Sequence, residues 1–347
     1  MLHLINRRAS IFGVGLASVA LVAACSSGAS PSASAPAAAA TSAPTSATAT
    51  SAPTSATATA ATGGSAVTIG IALSTLNNPY FVTLTDAAKA EAQAKGATLT
   101  PADGQNDLAK QTSEIEDFIS KKVSCIIVNP VDSSGIAPAV TEANTANIPV
   151  IAVDRGVTGA TTAGFVASDN VQAGKLAADA LLKALNGSGK IAVLTGVPGA
   201  SATNDRTKGF QQSLAANPGV TVVANQTAQF DRATALSVTE NILQAHPDVK
   251  GIFAENDEMA LGAIQALTAA GKAGKVLVTS IDGTADGMKA VAAGTLLETI
   301  AQQPAFMGKT AVDYCVTLAG GGTVPSGFTA SPLLEITKAN VSQYQGG

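Results

Sequence analysis

CIIVNPVDSSGIAPAVTEANTANIPVIAVDR, Cys125–Arg155, is the stretch on which the fold turns. Two short apolar runs rich in β-branched residues, CIIVN and VIAVD, flank an Ala-rich segment of helical period. Unbroken apolar runs of this length read as strands buried on both faces, and a helix joining two of them is the crossover of a parallel sheet. Each run ends in polar groups: Asn129 closes the first, Asp154 and Arg155 the second. In open parallel sheets ligands bind beyond the carboxyl ends of the strands. Those three residues are therefore candidate site residues from the outset.

Outward from this unit the same alternation continues. Strands are expected at Val67–Ser74, Ala97–Thr100 and Phe165–Ser168 on either side of it. A second set follows at Ile191–Thr195, Val220–Asn225, Gly251–Ala254, Val276–Asp282 and Leu297–Ala301. Helices are expected at Tyr80–Lys95, Leu108–Lys121, Ser134–Asn144, Asn170–Leu185, Thr203–Ala216, Arg232–Ala245, Asp257–Ala270, Ala285–Ala293 and Ala305–Leu318. About ten strands are too many for one open sheet, and the pattern pauses near Ser168. The fold class is therefore α/β, with two doubly wound, Rossmann-like parallel-sheet lobes. The last segment, Gly308–Gly347, is expected to cross back between them.

The first 65 residues have a different character. Arg7 and Arg8 precede an apolar stretch, Ile11–Val22, and small residues lead into Cys25. That is the layout of a secretory signal segment over residues 1–24, and ordinary secretion fits it better than twin-arginine export. Val22-Ala23-Ala24-Cys25 resembles a bacterial lipobox, which makes Cys25 the expected lipid-bearing first residue of the mature chain. Residues 26–65 contain only Ser, Gly, Ala, Pro and Thr, and SAPTSATAT at Ser42–Thr50 recurs at Ser51–Thr59. Such a segment has nothing to bury and reads as a disordered linker, with an end-to-end distance of roughly 35 Å.

Charge and composition exclude several functions. There are 20 Lys and Arg against 24 Asp and Glu, and loss of Arg7 and Arg8 takes the net charge from −4 to −6. A mildly acidic surface argues against a nucleic-acid partner. Beyond Cys25 only Cys125 and Cys315 remain, and both read as small buried residues rather than a disulfide. No metal-ligand spacing and no cofactor fingerprint is present. His246, before Pro247 at a helix end, reads as structural.

More polar residues recur at strand ends: Asn77 and Asn78, then Asn256 and Asp257, Asp282 and Gln302, with Arg206 in the loop and helix after IAVLTG. Two facing lobes would bring such a set into one cleft. Its chemistry suits a neutral polyol. Carboxylates accept from hydroxyls, guanidinium groups donate to them, and amides do both. Tyr80, Phe81 and Phe230 can offer flat apolar faces to a sugar ring. An enzyme reading pairs Asp154 and Asp282 as glycosidase carboxylates, but no GxSxG, HExxH or P-loop signature accompanies them.

At these loops the chain resembles the ribose-binding receptors of bacterial ABC importers. These belong to the type I periplasmic binding protein family, related to lac-repressor-type effector domains. The matching pieces run in order from Val67 to Lys338: STLNNPYF, AVDR, ASDNVQAGK, GFQQ, FDR, AHPDV, NDEMALGA, DGT and TIAQ. The resemblance implies a first lobe of residues 66–168 and 303–333, and a second of 169–302 and 334–347. Their crossings would lie near Ser168–Asp169, Gln302–Gln303 and Pro332–Leu334. It makes Asn78, Asn129, Asp154, Arg155, Arg206, Asn256, Asp282 and Gln302 the hydroxyl-binding set, with Tyr80, Phe81 and Phe230 around the ring.

It further implies a monomeric, non-enzymatic receptor on the outer face of the cell membrane. The receptor would deliver a monosaccharide, D-ribose first among candidates, to an ABC importer. Allose, another pentose, a pentitol or a nucleoside are the alternatives. Tyr80 stands where ribose receptors often carry Phe. Ile281 stands where they often carry Phe before the Asp, so it is expected to remove one aromatic wall.

Overall fold

The apolar runs form strands and the Ala-rich stretches form helices in the computed structural model, which describes residues 66–344. The expected signal segment, Cys25 and the linker lie outside the described residues. β1 (Thr68–Leu73), β2 (Thr98–Asp103), β3 (Cys125–Val128), β4 (Val150–Val153) and β5 (Gly164–Ser168) alternate with α1 (Pro79–Ala94), α2 (Leu108–Ser120) and α3 (Ala137–Thr145). The strands lie parallel in the order β2-β1-β3-β4-β5. β3 and β4 are buried along their whole length, as their unbroken apolar sequence requires. α3 starts at Ala137 rather than Ser134, because Asp132 Oδ1 accepts from Ser134 N (2.9 Å) and Gly135 N (2.6 Å) and holds those residues in a turn.

The second half repeats the plan. β6 (Ser188–Thr195), β7 (Gly219–Thr227), β8 (Gly251–Ala254), β9 (Leu277–Asp282) and β10 (Glu298–Ala301) form a parallel sheet in the order β7-β6-β8-β9-β10. α4 (Asn170–Ala184), α5 (Ser201–Ala215), α6 (Arg232–Ala245), α7 (Asp257–Ala269) and α8 (Ala285–Ala293) connect its strands. Apolar clusters cover both faces of each sheet. α9 (Pro304–Ala319) then returns to pack on α1 and the first sheet.

Two strands were not expected. β11 (Phe328–Ser331) adds to β5 in parallel, and β12 (Leu334–Thr337) adds to β10 antiparallel. Each is four residues long, lies at an edge and is partly exposed, so neither carries an apolar pattern of its own. The chain thus leaves the first sheet after Ser168, returns after Ala301 and leaves again after Ser331.

The cysteines require a correction. Cys125 on β3 and Cys315 on α9, read as two separate thiols, are joined in a disulfide with Cα atoms 5.5 Å apart. They are separated by 190 residues in sequence, so no local spacing could pair them. Only the return of α9 onto the first sheet brings them together. In the chain-entropy account, closing a loop of this size stabilises the fold by about 5 kcal/mol at most.

Candidate functional site

Helix starts and strand ends build the site. Asn78 is the N-cap of α1, with Oδ1 accepting from Tyr80 N at 2.9 Å, and Pro79 fills the first helical position. Asn256 caps α7 in the same way, Oδ1 accepting from Met259 N at 2.9 Å. Because capping occupies each amide oxygen, each amide NH2 is left as a donor. α4 and α5 approach very closely: a Cβ on Gly174 would meet Arg206 O at 2.2 Å, and one on Gly209 would meet Val171 O at 2.0 Å. Only glycine permits that contact, which seats α5, and Arg206 with it, tightly against α4.

These elements converge on one pocket. Asn78, Tyr80, Phe81, Asp154 and Arg155 come from the first-sheet side; Arg206, Phe230, Asn256, Asp282 and Gln302 come from the second. Ten of the eleven residues expected at the site therefore line it, together with Ala202, which the sequence did not flag. The empty space between them is ≈ 250 Å³, counting the part open to solvent. Asp154 (φ 62°), Phe230 (φ 59°) and Asp282 (φ 143°) all hold positive backbone angles, a costly conformation for side-chain-bearing residues that clusters at functional sites.

Asn129 stands behind the wall. Its Oδ1 accepts from Ser74 Oγ (2.7 Å), and its Nδ2 donates to Val153 O (3.1 Å) and Asp154 Oδ2 (3.0 Å). It orients Asp154. Ile281 does not face the pocket either. It belongs to the apolar cluster of α4 and β10, so the expected change in the aromatic wall does not occur there. Side chains alternate along a strand, and Asp282 takes the pocket side.

The two guanidinium groups are held differently. Arg206 Nε donates to Asn170 Oδ1 (2.8 Å), Nη1 donates to Glu255 O, and Asp282 Oδ1 lies 3.8 Å from Nη1. Arg155 Nη1 donates to Pro130 O at 3.0 Å, but among the described residues its Nε has no hydrogen-bond partner. Burial lowers the Arg155 pKa to about 10, which leaves it cationic at neutral pH. Its guanidinium carbon lies 5.4 Å from the Phe81 ring centre and 5.3 Å from that of Phe230. Asp282 Oδ1 accepts from Gln302 Nε2 at 2.9 Å, while Asp282 Oδ2 and Gln302 Oε1 are buried without partners among the described residues. Burial holds the Asp282 carboxyl well above the usual carboxylate range. It also holds the Tyr80 phenol well above its own, with Asp154 and Asp282 adding to the effect.

Sequence reasoning missed three supporting residues. Glu255 accepts from Gly196 N (2.7 Å) and Thr207 Oγ1 (2.6 Å), bracing the segment that carries Arg206. Gly196 leaves room for the Phe230 ring, whose Cζ would lie 2.0 Å from an added Cβ. Asn170 sits at the start of α4 and holds Arg206. The one available signal was that both Glu255 and Gly196 directly follow apolar strands. Among the described residues no group of His, Cys, Asp and Glu could hold a metal ion.

Known proteins resemble this chain in sequence and fold. The periplasmic binding protein domain matches residues 69–323. A ribose import binding protein from Bacillus subtilis is 42% identical over 271 residues, covering 78% of this chain and 88% of its own length. The Escherichia coli protein of the same name is 46% identical over 246 residues, covering 71% and 82%. A solved ABC transporter solute-binding protein from Bacillus halodurans, with bound myo-inositol, has a TM-score of 0.77 at 36% identity, covering 82% of this chain and 99% of its own.

Proposed function

We infer, since this chain belongs to the periplasmic binding protein family, that it is an exported sugar receptor that presents D-ribose to an ABC importer. It is a binding protein and not an enzyme. One observation carries the site: Arg155 Nε, Asp282 Oδ2 and Gln302 Oε1 are buried, unpartnered and on the wall of a single pocket. Such groups cost about 1–3 kcal/mol each when left unmet. A polyhydroxylated ligand can donate to the two acceptors and accept from the donor at once.

Ribose is favoured because both relatives named for ribose import exceed 40% identity over most of the chain. Ten of the residues that line the pocket are ones the resemblance assigns to sugar recognition. Residues 66–168 with 303–333, and 169–302 with 334–347, act as two lobes, each supplying five of the expected contacts. Sugar that touches both favours the closed arrangement over the open one. Asn129 contributes through Asp154.

The receptor is monomeric and tethered by lipid at Cys25, the residue that follows a removed signal segment. Two or more acyl chains give lasting attachment, and the N-terminal mass of the secreted chain reads them directly. Among the described residues no helix is long and apolar enough to cross a membrane. Isothermal titration of residues 66–347 with D-ribose, D-allose, D-xylose and ribitol tests the ligand. One-to-one heat with ribose and weaker or absent heat with the others is expected. Silence with ribose and tight binding of another polyol would replace the ligand within the same receptor class.

A further inference from the structure

Beside the pocket, the two sheet systems meet a second time. The loops after β3 and β4 face the loop between β6 and α5. Ser133 N donates to Gly199 O (3.1 Å), Ser201 N donates to Ser133 Oγ (3.0 Å), and Gly156 N donates to Ser201 Oγ (2.9 Å). Ser133 is buried, so part of this contact is shielded from water.

The first-sheet side is rigid at this point. Thr158 N donates to Ser133 O at 2.7 Å, and the two bonds to Asp132 Oδ1 fix that carboxylate. Its Oδ2 rests against Gly199, where an added Cβ would come within 2.1 Å. Gly199 itself has φ +87°. The cluster is also joined to the pocket wall: Gly156 follows Arg155, and Ser201 precedes Ala202. None of Ser133, Gly156, Gly199 or Ser201 lines the pocket.

We propose that Ser133, Gly156, Gly199 and Ser201 form a latch that favours the closed cleft independently of sugar, and so set affinity and residence time without touching the ligand. The proposal rests on the reading of the chain as a closing receptor. All three bonds join segments that part when the cleft opens, so each adds to the closed state alone. If the sugar-binding arrangement is populated only in part, apparent affinity scales with that fraction. A neutral hydrogen bond exchanged for water contributes about a two- to twelvefold factor. That modest size suits a receptor that must also open to admit sugar.

Ser201→Ala removes one acceptor and leaves every pocket residue in place. Gly199→Ala drives a methyl group into Asp132 and is expected to act more strongly, and thermal melting of each variant checks that it folds. Single-molecule energy transfer between dyes on cysteines at exposed Asp86 and Lys289 reads the sugar-free closed fraction. Stopped-flow mixing with D-ribose reads association and release. Ser201→Ala is expected to lower the closed fraction or speed release about two- to twelvefold, with association unchanged. An unchanged closed fraction together with unchanged release in both variants overturns the latch. Failure of the unaltered protein to bind any sugar would instead overturn the receptor reading, while the sugar-free measurement would still decide the latch.

Discussion

Asp154 of the first sheet and Asp282 of the second occupy corresponding places. Asp154 directly follows β4 and Asp282 ends β9; each is buried and holds a positive φ, and each has a guanidinium nitrogen 3.9 Å or 3.8 Å away. The two walls nevertheless leave opposite demands. On the first, Asp154 is engaged by Asn129, while Arg155 keeps Nε free. On the second, Arg206 is tied to Asn170 and Glu255, while Asp282 Oδ2 and Gln302 Oε1 are free. Among these buried, unpartnered atoms, one wall therefore offers a donor and the other offers acceptors. A hydroxyl serves either role, so a polyol satisfies both walls only when both reach it. The difference between the walls thus favours closure on a sugar.

Truncating the groups that define each wall should break the comparison most severely. Asp154→Ala removes an acceptor of Asn129 Nδ2 and the carboxylate 3.9 Å from Arg155 Nε, and Arg206→Ala removes the cation beside Asp282. Loss of one member of a buried charged set costs about 2–5 kcal/mol, roughly thirtyfold or more in affinity. Both variants should therefore lose useful ribose binding by calorimetry. Near-normal affinity in either would mean that the pocket is not the site.

A smaller effect lies in the second half, where burial raises Glu255 and Glu298 from 4.5 to about 7. Between those values the folded chain keeps protons that the unfolded chain releases. Sugar-free stability from these groups is thus fullest below pH 4.5 and falls as pH rises to about 7. Glu255 alone can contribute a slope of about 1.4 kcal/mol per pH unit at most. Melting should therefore occur at lower temperature at pH 7.5 than at pH 5.5, with a smaller difference in Glu255→Gln. A higher melting temperature at pH 7.5 would show that other groups dominate.

The fold was largely legible because parallel strands buried on both faces leave continuous apolar runs such as CIIV and VIAV. Strand-end residues were legible for the same reason: the sheet topology dictates where they point. What escaped depended on contacts made far along the chain. β11 and β12 take their register from β5 and β10 rather than from any pattern of their own. The bond from Cys125 to Cys315 needs the return of α9. Asn129 has the residue type and position of a ligand contact, and only its four-way bonding shows that it serves Asp154 instead. Ile281 was placed by resemblance, whereas strand alternation already assigned the pocket side to Asp282.

A crystal structure of the chain grown with D-ribose tests the two-wall account most directly. The account predicts one sugar accepting from Arg155 Nε and donating to Asp282 Oδ2 and Gln302 Oε1, with both lobes in contact. A sugar bound to one wall alone, with any of those three atoms still unpartnered and buried, would contradict it.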